Sequence, residues 1–155
     1  MIFLNTLEEL TASYPQLTYL HIEMPQKLAG FIHNNTIFIN KDTSYSKQLE
    51  TVAEEIGHYE TSAGDIVATE NKLEQAKQER KARDWGYQKL VSLSGLIVCY
   101  RQGFETLHEV ADFFDISEQY LLESLDMYRR KLGLRFKFIG YEFDLTNGLI
   151  IKELK

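Results

Sequence analysis

Apolar positions recur along this chain with two periods, and each period predicts its own kind of element. Over residues 3–13, Leu4, Leu7 and Leu10 share one side of a short helix that Pro15 ends. In LTYLHIEM, Leu17, Tyr19 and His21 alternate with Thr18, Leu20 and Ile22, which predicts a strand buried on both faces. In KLAGFIHNNTIFIN two β-forming runs flank Asn34-Asn35. Asparagine tolerates the positive φ of a tight turn, so this stretch predicts a β-hairpin.

The period then changes to that of helices. KDTSYSKQ offers Asp42, Thr43, Ser44 or Ser46 as N-cap for a helix from about residue 46 to 61. Leu49, Val52, Ala53 and Ile56 fall on one side of it, and Thr51, Glu54, Glu55 and His58 on the other. Gly64-Asp65 breaks the chain, and a longer helix is expected over roughly 69–91. SLSG interrupts it before an apolar segment ending at Gly103.

Beyond Gly103, TLHEVADFFDISEQYLLESL has the pattern of a helix-turn-helix, with Ala111 and Ile116 at its packing positions. Thr106 and Glu109 form a capping box, Ser117 caps the second helix and Gly133 suits its C-terminal end. The tail is rich in β formers, with turns at Gly140 and Asn147-Gly148, and predicts a C-terminal β-hairpin. The expected class is α+β, divided as a core over 1–103 and a helix-turn-helix-like segment with its hairpin over 104–155, packed on that core. No internal repeat is visible.

Composition narrows the function. A length of 155 residues fits one domain, or a domain with a small appendage. The net charge of −6 is spread evenly, so neither part is a basic platform. The would-be recognition helix after Ser117 leads with Glu118, Glu123 and Asp126, while Arg129, Arg130 and Lys131 come at its far end. That order disfavours DNA binding, and a docking surface for a protein is the better expectation. No apolar run approaches the ~18 residues of a membrane span, and MIFLNTLEEL lacks a signal-peptide pattern. A cytoplasmic location follows as an expectation. Cys99, within GLIVCY, reads as a buried small hydrophobe.

Candidate chemistry sits in LETVAEEIGHYETS. Glu54 and His58 are one helical turn apart, the spacing at which two side chains reach one metal ion, and Glu55 is rotated away, placed to hold a water. The same letters also fit the solvated face of an ordinary helix. Context favours the metal: a hairpin, a capped helix bearing the carboxylates and histidine, then a helix offering Glu79. Ala82 and Gly86, facing Ala53 or Gly57, would let the two helix backbones approach closely.

With GFIHNNTIFIN, AEEIGHYETS, ERKARDWGY and EVADFFDISEQYLLESL in this order, the chain resembles the ImmA/IrrE family of metallopeptidases, small phage and mobile-element members above all. The resemblance covers most of residues 28–133 and implies a zincin-like core. It makes Glu55 the general base, His58 a metal ligand and Glu79 the third ligand. The first ligand position falls on Glu54, where the family's usual pattern has histidine. The implied cofactor is Zn²⁺, with Mn²⁺ or Fe²⁺ as alternatives for so carboxylate-rich a set. The implied substrate is a helix-turn-helix repressor of a phage or mobile element. The rival expectation is a protein that grips such a repressor without cutting it, the metal site being vestigial. Tyr59 and His33 are candidate oxyanion donors by their place in the motifs, each with a core or rim role as the alternative.

Overall fold

The computed structural model describes residues 4–25, 27–62 and 71–155. The Gly64-Asp65 break and any helical turn before residue 71 lie outside the described residues. The chain forms two compact units, Met1–Gly86 and Tyr87–Lys155, which divide within one helix. Its class is α+β, as the two periods predict.

In the first unit, α1 spans Thr6–Ala12. It begins later than residue 3 because Asn5 is its N-cap, accepting a hydrogen bond from the Glu8 amide at 2.8 Å. Leu4 therefore precedes the helix and is exposed, while Leu10 is buried. Three strands follow, β1 (Thr18–Ile22), β2 (Gly30–His33) and β3 (Thr36–Asn40), in the sheet order β1-β3-β2. The expected hairpin is β2–β3, with Asn34 and Asn35 at φ 47° and 60° in its turn.

One expectation fails here. β1 is not buried on both faces: Leu20 is 45% and Ile22 38% exposed. The reason is its place in the sheet, as an edge strand paired in parallel with β3 alone. The central strand β3 carries the burial instead, with Ile37 and Ile39 fully inside.

Helix α2 spans Tyr45–Thr61, and of its four candidate caps Ser44 serves, accepting from the Lys47 amide. Its apolar side, Leu49, Val52, Ala53 and Ile56, is completely buried. Its polar side is covered in part. A Cβ at Gly30 would stand 2.7 Å from Thr51 Cγ2 and 2.5 Å from the Phe38 carbonyl oxygen, so β2 lies directly against α2 at Thr51. Helix α3 spans Lys72–Leu90, with Asn71 Oδ1 accepting from the Leu73 amide.

The second unit contains α4 (Leu93–Arg101), α5 (Leu107–Phe114), α6 (Glu118–Leu132) and strands β4 (Arg135–Phe138), β5 (Tyr141–Asp144) and β6 (Ile150–Glu153). The Thr106–Glu109 capping box is present, Ser117 caps α6 and Gly133 ends it at φ 91°. Ala111 and Ile116 are buried, and Asp115 takes the left-handed conformation between α5 and α6. Tyr128 donates a hydrogen bond to the Val91 carbonyl at 2.7 Å, and Cys99 is buried. The tail hairpin gains a third strand, giving the antiparallel sheet β4-β5-β6. Among the described residues no helix is long and apolar enough to cross a membrane.

Candidate metal centre

The site is built on α2 and α3 of the first unit, and its geometry depends on one glycine. A Cβ at Gly57 would stand 2.3 Å from the Ala82 carbonyl oxygen and 3.1 Å from Ala82 Cα. The two helix backbones therefore touch at Gly57 and Ala82, with Ala82 itself wholly buried. Such closeness needs a residue without a side chain on α2. It places Glu79, about one turn before Ala82, beside His58, the residue after Gly57.

Glu54, His58 and Glu79 each offer one ligand atom, and these atoms lie within 4.8 Å of one another. His58 Nε2 is 3.5 Å from Glu79 Oε1. Ligand atoms held at about 2.0–2.2 Å around one tetrahedral ion stand about 3.4 Å apart. The histidine and Glu79 have that spacing, and the Glu54 ligand atom lies within 4.8 Å of both. The side chains of Glu54 and Glu79 are 33% and 49% exposed, so the open side of the group faces solvent. One imidazole nitrogen and two carboxylate oxygens form a donor set suited to a divalent cation. The residues fit a metal.

Glu55 has a different setting. It is half-buried on the side of α2 that β2 covers, and the Ile32 backbone N–H donates to its carboxylate. The direction of that donor follows from the hairpin. Ala29 O accepts from the Asn40 amide, so odd positions of β2 face β3 and even ones, Ile32 among them, face outward. Burial, reinforced by the negative charges of Glu54 and Glu79, pushes the Glu55 carboxyl up to about 8. Burial also raises the Glu54 carboxyl, against the opposing pull of Arg83. The crowding of these carboxylates is one that a cation would relieve.

The polar side of α2 is more covered than the face of an ordinary surface helix. Glu50 and Thr51 are buried, and Glu54, Glu55 and His58 are all partly covered. Tyr59 meets Tyr14 edge to face, and His33 is exposed beside Asn34 at the hairpin turn. Asp65 lies outside the described residues.

Two participants were absent from the sequence reading. Arg83 Nε lies 3.5 Å from Glu54 Oε1. Its spacing of four from Glu79 puts it on the same side of α3, a signal that was available. The Ile32 amide is a backbone group, and no side-chain pattern announces it.

A comparison with curated proteins found no match. The profile of the Peptidase_M78 family, described as the IrrE N-terminal-like domain, matches residues 16–126. That span includes the hairpin, α2, α3 and most of the helix-turn-helix-like pair. The chain therefore belongs to the IrrE N-terminal-like family of metallopeptidases.

Proposed function

We propose that this protein is a metal-dependent endopeptidase, with Glu54, His58 and Glu79 as the protein ligands of one divalent ion and Glu55 as the general base. The observation that carries the reading is the convergence of those three donors at the backbone contact of α2 and α3, beside an acid held by a β2 amide. A divalent ion bound there supplies Lewis acidity towards a peptide carbonyl and lowers the cost of deprotonating water.

The rest is done by this chain's own groups. The Ile32 N–H fixes one oxygen of Glu55 and leaves the other to receive a proton from the attacking water. Glu55 then returns that proton to the nitrogen of the leaving amine. Partial burial beneath β2 limits competing water around the carboxyl. His58, partly buried, anchors the ligand set, and the more exposed Glu79 closes it.

As the substrate we propose a helix-turn-helix repressor of a phage or mobile element, cut in the cytoplasm. The likeness of the quoted motifs to small phage and mobile-element members supports it. Direct nucleic-acid binding is not part of the proposal. Glu118 and Glu123 lead α6, and Arg129 is engaged with Asp126 and the Leu145 carbonyl.

One observation favours a rival, a repressor-binding protein without catalysis: the Arg83–Glu54 ion pair occupies a ligand. Co-expression with the cognate repressor separates the two. Wild-type protein should yield repressor fragments. Glu55→Gln should bind the repressor and retain metal while cleavage falls by about 10²–10⁴-fold, the usual contribution of general acid–base catalysis. Tight binding without cleavage, the same in wild type and Glu55→Gln, would establish the rival.

A further inference from the structure

Three carboxylates, Glu54, Glu55 and Glu79, converge with one imidazole at the contact of α2 and α3. Without a cation their charges oppose one another. Arg83 brings a positive charge to this group from α3, its Nε 3.5 Å from Glu54 Oε1. Its side chain is 54% exposed, and the contact with Glu54 is made through Nε. A long side chain in that position can swing into solvent without disturbing packed neighbours.

We propose that Arg83 is the internal counter-ion of this centre, holding Glu54 in the metal-free protein and giving it up to an entering divalent cation. The inference rests on the metal-centre reading above and adds to it a control on loading. The ion must displace a guanidinium from one of its three ligands, so affinity is lower than the donors alone would give. The same contact keeps the Glu54 carboxylate in place while the site waits. Arg83 is here a positioning residue, acting through Glu54.

Two quantities should move in opposite directions when it is removed. Arg83→Gln removes the positive charge of α3 from beside Glu54, so the metal-free protein loses stability. It also removes the competitor, so metal binding tightens. A general folding defect would lower both. Exposed pairs of this kind are weak, which sets the scale at about two- to fivefold in affinity and a few degrees in Tm. Arg83→Lys keeps the charge and should stay close to wild type in both.

The experiment is calorimetric titration of Mn²⁺ and of Zn²⁺ into metal-free wild type, Arg83→Gln and Arg83→Lys, with Tm measured in chelator. Tighter binding and lower Tm in Arg83→Gln alone, both differences shrinking as salt rises, is the expected result. Metal binding of equal affinity in all three proteins, or weaker binding in Arg83→Gln, overturns the counter-ion and leaves the metal centre standing. Failure of all three to bind either ion overturns the metal centre and the counter-ion with it.

Discussion

Replacing Gly57 by alanine puts a methyl carbon 2.3 Å from the Ala82 carbonyl oxygen, where ordinary contact needs about 3.4 Å. The atom it meets is backbone, so no side-chain rotation relieves the clash. Either α2 and α3 move apart by about 1 Å or the helices deform locally. Overpacking of this kind costs about 1–3 kcal/mol, against which alanine regains roughly 1 kcal/mol of helix propensity. The expected net loss is about 0–2 kcal/mol, read as a lower midpoint in urea denaturation with an unchanged slope. The same displacement carries Glu79 away from His58, whose facing atoms are now 3.5 Å apart. Metal affinity measured by calorimetry should therefore fall at least tenfold, a loss larger than the stability change alone would cause. Ala82→Gly in the same chain should not restore it, because the carbonyl oxygen remains. A Gly57→Ala protein with wild-type midpoint and wild-type metal affinity would refute the close-approach argument, and with it the account of how Glu79 reaches the site.

Glu54→His exchanges a charged oxygen ligand for a neutral nitrogen and should tighten Zn²⁺ binding relative to Mn²⁺. Unchanged Zn²⁺ affinity in calorimetry would show that residue 54 is not a ligand. The Glu55 carboxyl predicts a pH dependence for the metal-free protein. Its folded value, about 8, is raised above the usual 4.5, so the folded state binds the proton more tightly than the unfolded chain. Stability is then fully present below about pH 4.5 and declines as pH rises towards 8, by on the order of 3–5 kcal/mol at most. Glu55→Gln should flatten that decline in chelator-treated protein, and an equally steep profile in the variant would assign the loss to other groups.

The elements most legible in the sequence are those whose determinants are local. The Asn34-Asn35 turn, the Thr106–Glu109 capping box and the Ser117 cap each depend on residues within one turn of one another, and each forms as expected. Spacing on one helix was equally readable, since Glu54 and His58 share a face whatever the fold around them. The exposure of Leu20 and Ile22 was not readable: alternation reports that a strand forms, while its position at the sheet edge depends on partners distant in sequence. The choice of Ser44 among four possible caps was also undecided by local chemistry. Covering of the polar side of α2 by β2 depends on Gly30, a residue that looks like a loop marker in the sequence and is a contact point in the fold. Arg83 illustrates a different limit. A basic residue on a polar helix has many uses, and only the approach of α2 shows which one it has.

Elemental analysis of protein purified without added chelator, run for wild type and for His58→Ala, bears on all of this at once. His58 is the one imidazole of the proposed set and its Nε2 already faces Glu79. The wild-type chain should carry one equivalent of a divalent metal, and His58→Ala, while keeping its helical circular dichroism, should carry none. Metal-free wild type that takes up no divalent ion on dialysis, or a folded His58→Ala protein that holds a full equivalent, would contradict the metal centre.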